Sequence, residues 1–311
     1  MPTVLITGGT GLVGAALSSL LLEKEYEVIV LSRAIATVKR STIAGLSYAE
    51  WDITKQTINS SAVQRADYIV HLAGAGVADK RWTPERKKEI QESRTQSSAL
   101  LVKALEENSN KVKAVISASA IGWYGADPVI PNPKQFTEND PADIEFLGKT
   151  CKQWEGSIEP VTALGKRLVK LRTGIVLSND GGALAEFKKP LRFGIAAILG
   201  NGKQIISWLH IDDLCRMYLQ AIENENMSGA YNAVAPKPVS NKELVLQLAK
   251  MMKGKFYLPV HVPSFALKII LGEMSVEVLK SATVSANRMR QAGFNYVYPS
   301  LEAAFNQLIK K

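Results

Sequence analysis

Only two of the 311 residues are cysteine and only three are histidine. Cys151 and Cys215 are too few for a disulfide framework, and with so little histidine a zinc site is not expected. This usage favours a reducing, cytoplasmic setting. No apolar run reaches the roughly 18–20 residues that cross a bilayer. The first residues read as a strand, not as a basic segment followed by an apolar one, so no secretory signal is expected. There is no internal repeat and no low-complexity segment. Aromatic residues make up 7% of the chain, and no aromatic-plus-basic recognition motif stands out. Nucleic acid therefore ranks well below a small anionic ligand. The net charge of +9 reads as a lysine-rich surface whose basic residues are spread along the chain. An anionic cofactor would need only a few of them.

What is present is concentrated at the start. Residues 2–14 read PTVLITGGTGLVG. Val4, Leu5 and Ile6 form a short apolar run of the kind buried in a parallel sheet. Gly8, Gly11 and Gly14 follow at three-residue spacing, and an apolar helical pattern comes after them. A strand, a glycine turn and a helix together hold a pyrophosphate on the helix N-terminus. The alternative is a glycine-rich turn with no ligand. A second strand ends at Ser32, followed by Arg33, where NAD-binding units carry an acidic residue for the ribose 2′-OH. A hydroxyl and a guanidinium attract a 2′-phosphate by charge-assisted hydrogen bonds, which argues for NADP(H) over NAD(H). The alternative for Arg33 is an ordinary surface arginine.

Further strands are expected at 45–51, 66–72, 112–118, 167–173, 205–211 and 229–234. Asp52 and Ile53 follow the first of these as an adenine-side contact. Residues 73–76 (AGAG) let the backbone close on a ligand at a sheet edge. Thr83 caps a long helix that starts at Pro84. On spacing alone, Glu89 and Arg94 in that helix read as solvated positions. Residues 126–143 read as a loop or substrate-side flap. Helices are expected at 144–163, then after an N-cap at Asp212 or Asp213, then at 240–252, 264–271, 275–291 and 300–310. The repeated strand–helix alternation predicts an α/β fold with a doubly wound parallel (Rossmann) sheet. Residues 1–175 are expected to form the dinucleotide-binding domain, with a strand and helix returning near 205–234. Residues 176–311 are expected to be mostly a smaller C-terminal substrate lobe.

The chain resembles an extended short-chain dehydrogenase/reductase, and more closely the atypical subgroup of epimerase family proteins (YfcH-like). The motifs that carry the resemblance are TGGTGLVG at 7–14, LSR at 31–33, HLAG at 71–74 and KKEIQESR at 87–94. SASAIGWYG at 117–125, CKQWE at 151–155, LRTGIVLS at 171–178, SWLHIDDL at 207–214 and the LGEMS segment near the C-terminus extend it over nearly the whole chain. The resemblance implies an NADP(H) site. Gly8, Gly11, Leu12 and Val13 would take the pyrophosphate, and Ser32 and Arg33 the 2′-phosphate. Leu72, Ala73 and Gly74 would flank the adenosine ribose and diphosphate. Glu89 and Arg94 would also lie at the cofactor, and Ile175 would meet the nicotinamide end. It further implies a small-molecule substrate and a homodimer through the long helix.

One departure bears on catalysis. Reductases of this superfamily use a Tyr-x-x-x-Lys pair for proton transfer and for holding the nicotinamide ribose. Alignment on Glu155 places Leu147 and Cys151 at those two positions, and neither can do that work. Ser119 matches the family's serine and could hydrogen-bond a substrate oxygen. Tyr124 is the nearest phenol for acid/base work, with a packing aromatic as its alternative. Two functions compete. One is an NADP(H)-dependent oxidoreductase or nucleoside-sugar-epimerase-like protein acting on a small carbonyl or polyol compound. The other is a non-catalytic NADP(H)-binding regulatory or sensor protein.

Overall fold

The structure, a computed structural model, describes residues 1–33 and 43–309. In chain order its strands are β1 (Thr3–Thr7), β2 (Glu27–Ser32), β3 (Leu46–Asp52), β4 (Thr57–Ile58), β5 (Tyr68–His71), β6 (Ala114–Ala120), β7 (Arg167–Thr173) and β8 (Ile175–Ser178). They continue as β9 (Gly181–Gly182), β10 (Ile195–Leu199), β11 (Ile205–Ile206), β12 (Trp208–His210), β13 (Gly229–Ala233), β14 (Val239–Ser240) and β15 (Leu258–Val262). The helices are α1 (Leu12–Glu23), α2 (Ser60–Arg65), α3 (Pro84–Glu107), α4 (Phe146–Ile158), α5 (Ala183–Leu191) and α6 (Ile211–Glu223). They continue as α7 (Asn241–Lys253), α8 (Ser264–Leu271), α9 (Ser275–Leu279), α10 (Asn287–Gln291) and α11 (Leu301–Ile309).

Eight strands form the main sheet in the order β13-β7-β6-β5-β1-β2-β3-β4. Every pairing in it is parallel except β3 with β4. The two-residue alternation of a strand explains the layering. Val4 and Ile6 of β1 face one core with Leu17 and Leu21 of α1 and Leu214, Tyr218 and Ile222 of α6. Leu5 faces the other, with Val63 of α2 and Leu101 and Leu105 of α3. Because both faces are covered, the strands are continuous apolar runs. This is the α/β, Rossmann-like architecture that the sequence predicts. After β7 the chain leaves the main sheet and builds a third core around Leu184, Ile198, Trp208, Leu248 and Phe305. It returns through α6, which packs on α1, and β13, which pairs with β7.

Several expected boundaries differ. The N-cap of α6 is His210, whose Nδ1 accepts from the Asp212 N–H at 3.1 Å. Asp213 is instead fully buried and accepts from the Val297 and Tyr298 N–H groups, fixing the C-terminal segment. The helix expected at 144–163 stops at Ile158 and tightens into a 3-10 turn, Glu159–Thr162, with Pro160 inside it. The helix expected at 275–291 is two short helices with an extended stretch between them. There Asp127 accepts from the Ser281 and Thr283 hydroxyls and the Thr283 N–H, which holds the stretch extended against the 126–143 loop. Residue 310 of the expected last helix lies outside the described residues.

Candidate active site at the carboxyl edge of the sheet

From β1 the sheet runs to β2 on one side and to β5 on the other. Ligands of doubly wound sheets bind at such a switch point, beyond the carboxyl ends of the strands. Here β1 gives way to Gly8, which has φ 67°, and the Gly11 N–H donates to the Gly8 carbonyl at 3.0 Å. A Cβ on Gly8 would sit 2.9 Å from the Leu72 carbonyl carbon, so the two loops touch through backbone. A Cβ on Gly14 would collide with the Gly8 carbonyl oxygen and lie 2.5 Å from the Gly9 Cα. Helix α1 therefore starts hard against the turn. Its N-cap, Gly11, brings no capping side chain, and its first turn carries no acid. The first N–H groups, from Leu12 and Val13, have no partner within the helix and sit at the positive end of its dipole. Such an end can take a phosphate.

At the end of β2, Ser32 is half-buried and Arg33 exposed. Arg33 lies near enough to Glu89 of α3 to act on its charge. The Glu89 carboxyl is held below its ordinary range by the hydrogen bond from Arg86 (2.6 Å), and also by the charges of Arg86, Lys80 and Arg33. Glu89 is exposed, as its spacing predicts, but Arg94 is not. Packing of α4 on α3 encloses Arg94. Its guanidinium lies 4.9 Å from the Trp154 ring centroid, and its Nη1 donates to the carbonyls of Ala75 (3.0 Å) and Ile90 (2.7 Å). A Cβ on exposed Gly74 would come within 3.1 Å of the same side chain. Ile175 opens β8 after Gly174 and is exposed.

A neutral polar chain beneath this edge went unnoticed in the sequence. The Thr7 hydroxyl accepts from the Leu72 and Ala73 N–H groups at 3.1 and 3.2 Å. Its own proton is then free for His71 Nδ1, 2.7 Å away. That leaves the His71 proton on Nε2, facing the Ser98 hydroxyl at 3.1 Å, while Ser98 donates to the Arg94 carbonyl. Burial, and secondarily the Arg94 charge, pushes the fully buried His71 imidazole down to about 3, so it is neutral. The chain pins the loop carrying Leu72, Ala73 and Gly74 against β1.

Two strands away the edge is ionic. Ser119 near the end of β6 donates to Glu155 Oε1 at 2.8 Å. Arg172 of β7 holds both oxygens of Glu155, through Nε at 2.8 Å and Nη2 at 3.1 Å. Arg172 also stacks on the Trp123 ring, 3.6 Å from its centroid, and its Nη1 donates to the Tyr124 hydroxyl at 3.1 Å. The Tyr124 hydroxyl donates in turn to Asn232 Oδ1 at 2.7 Å. Ser119, Glu155, Arg172, Tyr124 and Asn232 are all buried, Tyr124 with no exposed surface at all. Burial pushes its phenol up to about 12, against the pull of Arg172. The structure thus brings Ser119 and Tyr124 into one network but encloses the phenol, stacked on Phe136. Leu147 and Cys151 project from α4 beside Gly122. The Cys151 thiol is buried, pushed up to about 12 by that burial, and lies 3.6 Å from the Ala120 carbonyl.

Glu155, Arg172 and Asn232 lie 17 and 60 residues apart, on three elements, so no local spacing announces them. Glu155 and Arg172 do fall inside the CKQWE and LRTGIVLS segments. Among the described residues no cluster of three or more His, Cys, Asp or Glu side chains could hold a metal ion. No described helix is long and apolar enough to cross a membrane.

The comparisons with known proteins agree with this geometry. Residues 4–145 match the NAD dependent epimerase/dehydratase family, and residues 262–308 match a domain of unknown function, DUF1731. An epimerase family protein of Staphylococcus aureus is 35% identical over 313 residues, covering 100% of both chains. One from Staphylococcus haemolyticus is 36% identical over 309 residues, covering 99% of each. Among solved structures, human epimerase family protein SDR39U1, crystallised with NADPH, superposes with a TM-score of 0.83 at 26% identity over 99% of both chains. A sheet with a glycine turn at its switch point and full-length likeness to these relatives lead to one assignment: the chain belongs to the epimerase family, an atypical extended branch of the NAD(P)-binding short-chain dehydrogenases/reductases.

Proposed function

We propose that the protein is an NADP(H)-dependent oxidoreductase or nucleoside-sugar-epimerase-like enzyme acting on a small carbonyl or polyol compound. The observation that carries the cofactor is the uncapped start of α1 beside Ser32 and exposed Arg33. The residues fit a dinucleotide phosphate: the N-cap Gly11 brings no side chain to the first N–H groups of α1, and a guanidinium rather than a carboxylate follows β2. Bound there, a nicotinamide would supply hydride chemistry at its C4. Gly8, Gly11, Leu12 and Val13 would hold the pyrophosphate, and Leu72, Ala73 and Gly74 the adenosine side. Glu89, Arg94 and Ile175 complete the cofactor set, with Arg33 binding the 2′-phosphate. The lobe built on the third core would close the substrate side.

Ser119 would be the group that meets a substrate oxygen. Its proton is already donated to Glu155, so toward a ligand its oxygen accepts and selects a hydroxyl. A carbonyl would require that bond to turn over. Tyr124 keeps its proton at neutral pH and acts by bracing Arg172 and Asn232. The second reading, a non-catalytic NADP(H)-binding regulator or sensor, is favoured by Leu147 and by the buried, protonated Cys151, neither of which can replace the family's proton-transfer pair.

Cofactor titrations test the first step. NADPH should bind far more tightly than NADH. Arg33→Ala should lower NADPH affinity roughly tenfold to a hundredfold, the value of one charge-assisted hydrogen bond, and leave NADH nearly unchanged. Equal affinities in the unmutated protein would sink the NADP(H) assignment. Turnover is tested by NADPH consumption across a panel of carbonyl compounds. Activity that Ser119→Ala abolishes supports the enzyme, and none across the panel supports the sensor.

A further inference from the structure

We propose that the ribbon formed by β10 and β15, together with α8, docks the protein on an anionic membrane surface. This does not rest on the cofactor reading. Strands β10 and β15 pair in parallel, Ile195 with Leu258 and Ala197 with Val260. Just before each strand, an aromatic ring stands in solvent: Phe193 is 84% exposed and Phe256 88%. The ribbon runs through Pro263 directly into α8, which buries only Leu267 and leaves Phe265, Ile269 and Ile270 each at least 68% exposed. A soluble surface rarely leaves so many large apolar side chains together without a partner.

The charge identifies the partner. Residues 187–211 and 244–272 contain eight lysines and arginines and no acidic residue, while the rest of the chain is balanced, 30 basic against 29 acidic. Almost the whole net charge of +9 therefore belongs to the two stretches that the ribbon brings together. The basic residues are spread along the chain as expected; it is the acidic residues that are missing from these two stretches, which are distant in sequence and meet only in the fold. Lys253 Nζ donates to the Arg192 carbonyl at 3.3 Å, which places both cations at the Phe193 and Phe256 end. Among the described residues, Arg192, Lys253, Lys255 and Lys268 have no acidic partner within ion-pair distance.

Exposed aromatic and aliphatic side chains rimmed by lysine and arginine fit an interface that is acyl chain within and anionic headgroup without. A second copy of the same face would oppose like charges, and Pro259 in the edge strand β15 removes an N–H that strand addition needs. Nucleic acid would use the cations and the rings, but it has nothing to set against Leu258, Ile269 and Ile270. Lys87 at the start of α3 pairs with Glu273 just beyond α8, which ties this surface to the helix that carries Glu89 and Arg94.

The test is co-sedimentation of the full chain with phosphatidylglycerol/phosphatidylcholine vesicles and with phosphatidylcholine alone. The protein should pellet with the anionic vesicles, release as salt is raised, and stay in solution with the neutral ones. Each cation removed should lower partitioning roughly fivefold, so K253Q with K255Q should lower it about twenty-fivefold. F256S with F265S should weaken binding by at least as much. Unchanged circular dichroism and thermal midpoint identify these variants as folded. Four results would each overturn the proposal: no pelleting at low salt, equal pelleting with neutral vesicles, a dimer that F256S with F265S disperses, or a nucleic-acid complex that K253Q with K255Q abolishes.

Discussion

Two neighbouring parts of the same sheet edge treat polar groups in opposite ways. Around β1, β2 and β5 the edge is, among the described residues, open. Glycines keep side chains away, the first N–H groups of α1 have no capping side chain, and the polar chain underneath, Thr7–His71–Ser98, is neutral. Around β6 and β7 the edge is braced by a buried ion pair, Glu155 with Arg172, which also engages Ser119, Tyr124 and the Glu138 carbonyl and has Lys170 3.8 Å from Glu155 as a second cation. The open part leaves donors for a ligand. The braced part holds its own charges and offers one serine oxygen. Under the proposed function, recognition and rigidity fall to different strands, as expected where a ligand must find preformed donors without loosening the core.

The contrast is broken most strongly at Arg172. Arg172→Met strips the bidentate partner from a buried carboxylate and leaves it Lys170, 3.8 Å away, as its remaining cation, so the cost should approach but not exceed the about 3–5 kcal/mol of a fully broken buried pair. Urea unfolding should show that loss, and Glu155→Gln in the same chain should recover part of it. A loss below about 1 kcal/mol would mean that the pair is not a brace.

The neutral part should fail in acid instead. His71 is pushed down to about 3 in the folded chain from an ordinary 6.5. Below pH 6.5 the unfolded chain takes up a proton that the folded chain refuses. Stability is thus complete above about pH 6.5 and falls as pH drops toward 3. The slope is about 1.4 kcal/mol per pH unit, or about 2 kcal/mol lost by pH 5. His71→Asn should flatten the decline in unfolding free energy between pH 6.5 and 5, whatever its effect at pH 7. An unchanged slope would place the acid sensitivity elsewhere.

A smaller effect sharpens the open part. Gly14→Ala pushes a methyl into the Gly8 carbonyl and the Gly9 backbone. Overpacking of this kind costs about 1–3 kcal/mol, and it falls where phosphate donors must converge. NADPH affinity by titration should drop by about tenfold or more, with thermal stability reduced less than in Arg172→Met. Unaltered affinity would remove the turn from the binding surface.

Much of the open part was legible because its signal is local. Gly8, Gly11 and Gly14 lie within one turn and the start of one helix, and their spacing follows from steric needs that act over a few residues. Thr83 and Pro84 announced the start of α3 for the same reason, and the structure keeps that boundary. Arg94 was misjudged as solvated because helical spacing describes one helix by itself, and it is α4 that covers that face. The segment after α9 was read as helix because its composition allows one. Asp127, more than 150 residues upstream, supplies the acceptors that hold it extended.

By itself, then, the sequence determined the alternation of strands and helices, the family, and the glycine turn between β1 and α1, all of which depend on short-range sterics and periodicity. Only the tertiary structure decided that Glu155 meets Arg172 and encloses Tyr124. It also decided that two uncharged-by-acid stretches lie side by side on β10 and β15, and that His71 is neutral. Charge pairing and burial act through space, between residues that sequence distance does not relate.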